Sequence, residues 1–118
     1  MKLVIREKLK KLINQEITIY IDRPTGSIHP IHSDIIYPLN YGYIKELTAL
    51  DNEYQDAYLL GVNYPVKEYQ GKVIAVIERE NDQEDKLVIC PIDQDYSKEE
   101  IRKLVSFQEK HFKINIYK

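Results

Sequence analysis

Tyr37-Pro-Leu-Asn-Tyr41-Gly-Tyr43-Ile-Lys-Glu-Leu-Thr-Ala-Leu-Asp51-Asn-Glu53-Tyr-Gln-Asp56 is the stretch on which the reading of this 118-residue chain turns. It opens on an aromatic turn, with three tyrosines and an asparagine crowded around Pro38 and Gly42. It closes on the carboxylates Asp51, Glu53 and Asp56. If 51–53 is extended, Asp51 and Glu53 point to one face, because strand side chains alternate. A turn through 52–55 then returns Asp56 beside them. Three hard oxygen donors in one short segment suit Mg²⁺, which takes a few carboxylates and completes its shell with water and phosphate oxygens. A solvated acidic loop is the other reading of the same residues, since acids make up 19 of the 118. The Asp ladder, glycine and terminal Glu of an EF-hand are absent.

On either side of this stretch the pattern is that of a small β-rich domain. Ile17-Thr-Ile-Tyr-Ile21 alternates and is β-branched, which predicts a strand. Pro24, Gly26, Ser27 and Pro30 then make 22–34 a long loop, and loops of that length in a small domain are often functional. Short strands are expected at 35–37, 43–50 and 57–62, and stronger ones at 72–80 and 86–90, with the charged segment 79–85 as the hairpin between the last two. Residues 2–14 carry apolar side chains near helical spacing and predict a short amphipathic helix ending around Asn14. Ser97-Lys-Glu-Glu100 is a capping box that opens a second helix, with Ile101, Leu104, Val105, Gln108 and Phe112 along one face. Few helices, several short strands and long loops make an α+β class, organised as a single domain over 1–118.

Bulk properties narrow the function. A net charge of −2 and a pI near 5.9 leave no basic surface for nucleic acid. Cys90 is the only cysteine, so no internal disulfide forms, and its place in Leu87-Val-Ile-Cys-Pro91 predicts a buried thiol. No apolar run approaches the ~20 residues of a membrane span, and the N-terminus lacks a signal-peptide core, so the expected location is cytoplasmic.

Tyr37-Pro-Leu-Asn-Tyr-Gly-Tyr-Ile44, followed seven residues later by Asp51-Asn-Glu53-Tyr-Gln-Asp56, resembles the core of the soluble family I inorganic pyrophosphatases, where Tyr-Pro-x-Asn-Tyr-Gly-Tyr/Phe-Ile precedes Asp-Gly-Asp-x-x-Asp at the same distance. The resemblance implies a small five-stranded OB-like barrel with a C-terminal helix packed alongside. It implies a Mg²⁺-dependent hydrolase that opens pyrophosphate with a metal-activated water, and a small-molecule phosphoanhydride as its partner, with homo-oligomers common in the family.

Carried over position by position, the resemblance makes Asp51 and Asp56 metal ligands and puts Glu53 where the family has the aspartate that orients the water. Tyr41 matches a tyrosine near metal and phosphate, and Tyr37 one behind it. Gln83-Glu84-Asp85-Lys86-Leu-Val88 is similar to the family's Glu-Asp-x-Lys-Leu-Val, making Lys86 a phosphate-binding lysine and Glu84 a metal ligand, with Asp85 as the alternative if the loop is shifted by one. His111-Phe112-Lys113 resembles His-Tyr-Lys and gives Lys113 a phosphate contact. Asp22-Arg23 resembles the Asp-Arg that precedes the tyrosine motif and gives Arg23 another. Several positions depart from the pattern: Glu53 is one methylene longer than aspartate, Glu84 likewise stands for an aspartate, Arg79 stands where a second metal-binding aspartate belongs, Phe112 lacks the tyrosine hydroxyl, and the lysine and glutamate of the family's N-terminal motif are absent. Glu80 and Asp82 are the acids near enough to replace the lost aspartate. His29 and His32 have no counterpart in the motif. Arg79 and Phe112 also carry a rival reading, a non-catalytic module that binds a phosphorylated ligand or a protein on a pyrophosphatase-like barrel.

Overall fold

A computed structural model of the chain describes residues 2–48, 53–82 and 84–118. Asp51, the first carboxylate of the acidic run, lies outside the described residues. The elements run α1 (Lys2–Lys10), β1 (Glu16–Arg23), β2 (Asn40–Thr48), β3 (Tyr54–Leu59), β4 (Glu68–Arg79), β5 (Lys86–Cys90), α2 (Lys98–Glu109) and β6 (Ile114–Tyr117). The strands follow the order β1-β2-β3-β5-β4-β6, and β1 also pairs with β4. That second pairing closes β1, β2, β3, β5 and β4 into a five-stranded barrel. All its pairs are antiparallel except β3 with β5. The sixth strand is an addition: β1 takes positions 68–72 of β4 and β6 takes positions 76–79.

Two apolar layers explain why β3 and β5 are hydrophobic on both faces. Ile19, Ile44, Ala57, Leu59, Val73, Val76, Leu87 and Ile89 come from all five barrel strands and form one cluster, which Leu9 of α1 joins. Their neighbours in sequence, Tyr58, Val88 and Cys90, point the other way and pack with Tyr41, Ile101 and Val105 beneath α2. A register shift in β4 between Val73 and Ala75 inserts one residue, so that Val73 and Val76 both serve the first layer while Ala75 and Ile77 serve the second.

Differences from the sequence reading have local causes. The first helix ends at Lys10, and Asn14 closes the following turn at φ 77°, its N–H donating to Val73 O at 2.7 Å. Residues 35–37 form no strand. Ile36 makes a single bridge with Ile28, and the excursion is held by His29 N to Ile35 O and Tyr37 N to Ser27 O. The second helix keeps its capping box but stops at Glu109, so His111, Phe112 and Lys113 lie in the turn before β6 rather than on the helix. Cys90 is buried, as expected. No helix among the described residues is long and apolar enough to cross a membrane.

Candidate functional site

Asn40 is fully buried and fixes the frame of the site. Its side-chain oxygen accepts from Thr25 N at 3.0 Å, and its amide donates to Val62 O and Tyr64 O at 3.1 and 3.0 Å. One asparagine thus ties the 24–39 segment to the segment after β3, a use that needs both an acceptor and two donors. Gly42 has a different duty. A Cβ there would drive into the carbonyl of Tyr20, so only glycine lets β1 approach β2.

With this frame set, the start of β2, the start of β3, the end of β4 and the start of β5 meet beside the last turn of α2, and a cleft of about 490 Å³ opens between them. Asp22 and Arg23 line it from β1, Tyr41, Asp56 and Lys86 form its more buried floor, Arg79 and Phe112 line it from the end of β4 and the turn after α2, and His29, His32 and His111 make its more open rim.

Lys86 is the buried centre of the floor. Its ammonium sits 2.7 Å from Asp56 Oδ2 and 3.2 Å from Glu84 Oε2, with only 3% of the side chain exposed. Two carboxylates satisfy a charge that burial would otherwise penalise. Asp56 keeps a third of its side chain open to the cleft. Tyr41 is buried at 9% exposure, and its phenol is raised well above its ordinary value, first by burial and then by the charge of Asp56. It therefore stays a neutral hydroxyl. Asp22 is raised as well, by desolvation and by Asp56, with Arg23 pulling the other way.

Behind the floor runs a polar chain that was not legible in the sequence. Tyr37 OH donates to Gln108 Oε1 (2.9 Å), Gln108 Nε2 to Tyr58 OH (2.8 Å), and Tyr58 OH to Glu109 Oε2 (2.6 Å). Glu109, 2% exposed, receives the Arg79 guanidinium as a fork, Nε to Oε1 at 2.9 Å and Nη2 to Oε2 at 2.6 Å. Arg79 also donates to Asp82 at 2.9 Å and lies 3.8 Å over the Phe112 ring. Burial works against its charge, but the hydrogen bonds and charge of Glu109 more than offset that and raise its pKa further. Phe112 thus serves as a platform for a cation. Glu109 continues the buried stripe of Ile101 and Val105 at helical spacing, but an acid at that position reads as solvated until Arg79 is found opposite it.

The expected site residues are brought together unevenly. Arg23, Tyr41, Asp56 and Lys86 share the cleft, and Glu84 reaches it through Lys86. Glu53 is exposed at the edge of β3. Lys113 is 75% exposed at the outer surface, 4.0 Å from Glu80. Asp85 is excluded from the site: it is buried against α1, where Arg6 Nε donates to it at 2.8 Å and Gln55 Nε2 takes its carbonyl at 2.6 Å. Asp82 is engaged with Arg79. Among the described residues no three His, Cys, Asp or Glu side chains converge as a metal cage. The carboxylates that do face the cleft, Asp22 and Asp56, fit a Mg²⁺ that keeps most of its waters and takes one or two carboxylates together with phosphate oxygens.

No protein-family model matches the chain, and no curated protein matches its sequence. Solved structures do match it in fold. An inorganic pyrophosphatase from Ehrlichia chaffeensis superposes with a TM-score of 0.66 at 17% identity over 87% of this chain and 85% of that one. Those from Coxiella burnetii and Helicobacter pylori give 0.59 and 0.57, at 15% and 17% identity, over 88% and 90% of this chain and 84% of each of theirs. The barrel with its added strand and C-terminal helix is the inorganic pyrophosphatase fold.

Proposed function

We propose that the cleft hydrolyses a phosphoanhydride, most simply inorganic pyrophosphate to two phosphates, with Mg²⁺ as cofactor. The observation that carries this reading is the meeting of Arg23, Tyr41, Asp56 and Lys86, from four separate strands, in one cleft of a pyrophosphatase fold. Phosphoryl transfer asks a protein mainly for positioning and for cations at the spectator oxygens. Arg23 offers a planar fork to one phosphate, and Lys86 a buried ammonium to the other. Substrate oxygens replace Glu84 or Asp56 as partners of Lys86, releasing a carboxylate as they enter. Tyr41, held protonated, donates to a phosphate oxygen. Glu53 accepts the proton of the attacking water, and Lys113 swings in from the surface to the leaving phosphate. Bound Mg²⁺, held by Asp56 with Asp22 beside it in the cleft and with Asp51 and Glu84 as the further ligands that the motif implies, would neutralise phosphate oxygens and make hydroxide available near neutral pH.

A second reading, ligand binding without turnover, draws support from Arg79, a fixed cation on the cleft wall already paired with Glu109. Phosphate release from pyrophosphate, with and without Mg²⁺, decides between the two. The enzyme reading expects metal-dependent turnover that falls at least a hundredfold in Glu53→Ala and in Asp56→Ala. Absence of turnover, with Mg²⁺ binding no tighter than millimolar by calorimetry, leaves the binding module.

A further inference from the structure

The rim of the cleft carries more than a pyrophosphate site uses. A second recess of about 350 Å³ adjoins the cleft and shares His32, Ile35 and His111 with it, adding Asp34. All three histidines of the chain stand at this junction. The segment that brings two of them there is folded for the purpose of holding a ring: His29 Nδ1 accepts from the backbone N–H of both Ile31 and His32 at 3.1 Å. An Nδ1 that accepts two bonds fixes the neutral tautomer with its proton on Nε2, a donor. The same ring lies parallel to Tyr37, centroids 6.0 Å apart at 6°, and against His32 at 5.0 Å. Ile31, on the cleft lining, is 80% exposed.

We infer that this outer recess binds the nucleoside of a nucleoside diphosphate whose phosphates occupy the inner cleft. The inference rests on reading the inner cleft as a phosphate site and names its substrate class. Three observations select the occupant. The volume lies in the range of sites that take organic ligands of nucleotide size. Asp34 repels a further phosphate but accepts from sugar hydroxyls, the same use of a carboxylate as in dinucleotide folds. The walls pair apolar Ile35 with the rings of His32 and His111, which suits a base or sugar and gives a bare polyphosphate no apolar contact to gain. In the reaction the water oxygen bonds to the terminal phosphorus and the bridging P–O bond breaks. Its electron pair leaves with the nucleoside monophosphate, and the water's proton passes to the carboxylate base and then to solvent.

Calorimetric binding of adenosine 5′-diphosphate, inorganic pyrophosphate and inorganic triphosphate tests this, on the wild type and on Asp34→Ala. Asp34 is exposed and lines only the outer recess, so the variant keeps both the fold and the inner cleft. The wild type is expected to bind the nucleoside diphosphate at least as tightly as pyrophosphate. The variant should weaken it about tenfold and leave pyrophosphate no weaker. Equal weakening of both ligands, or a triphosphate that binds as tightly and depends on Asp34 as much, overturns the proposal. Phosphate release is followed on the same samples with Mg²⁺. Selective nucleotide binding without release from either compound would retain the recess and reject hydrolysis.

Discussion

Arg79 is the residue that sets this cleft apart from its motif. A planar guanidinium buried against a buried carboxylate is stable only as a pair, because each charge alone would bear its full desolvation. Arg79→Met should therefore cost about 3–5 kcal/mol, Glu109→Leu a similar amount, and the double change much less than their sum. Urea denaturation of the four proteins measures the coupling; additive losses would mean the fork at 2.6 and 2.9 Å contributes nothing as a pair. Arg23 makes a second residue-scale case, since it lines the same cleft as Lys86. Arg23→Lys keeps the charge and loses the fork, so the KM for pyrophosphate should rise about tenfold with kcat little changed. A KM that does not move would remove Arg23 from substrate binding.

At the scale of elements, the junction of β1 with β2 depends on Gly42, whose Cα faces Ile21 in the ladder. Gly42→Ala should cost about 3 kcal/mol through overpacking against Tyr20, and hydrogen exchange should speed first in β1 and β2. Uniform protection in the variant would show that the strands part without loss. This glycine lay in plain view in the Tyr-Gly-Tyr motif, as did the capping box at Ser97 and the apolar runs of β4 and β5, because each is a local rule written in consecutive residues. Other features were not visible. Ile114–Tyr117 is four residues long, too short for alternation to tell from a frayed helix end, and it becomes a strand only because β4 leaves positions 76–79 open beyond β1. Asp85 and Glu84 are neighbours of the same chemistry. Which one turns inward is decided by Arg6, 79 residues away in sequence, and no spacing rule reaches that far. Asn40 was read as part of a motif, but its three hydrogen bonds belong to segments that meet only in the fold.

For the whole molecule, the polar chain beneath α2 joins helix, barrel and loop through two tyrosines, and it sets an alkaline limit to stability. Burial raises Tyr58 well above its ordinary value, Glu109 adds to the shift, and Tyr41 is raised in the same way beside Asp56. The unfolded chain releases these phenolic protons near pH 10, whereas the folded barrel still holds them. Above that pH the folded state binds more protons than the unfolded one, so stability must fall as pH rises. Each fully shifted phenol removes up to about 1.4 kcal/mol per pH unit until its own folded pKa is passed. Below pH 10 both states keep the proton and the two groups contribute no slope. The melting temperature should therefore be flat in this respect up to about pH 9 and drop by several degrees per unit beyond pH 10. Tyr58→Phe removes one of the two phenols that burial raises well above the ordinary value. Its curve should begin lower, for loss of the hydrogen bonds to Glu109 and Gln108, and descend less steeply through the alkaline range. Parallel curves for the two proteins would mean that Tyr58 ionises as readily in the barrel as in water, and that the chain from Tyr37 to Arg79 does not act as one buried unit.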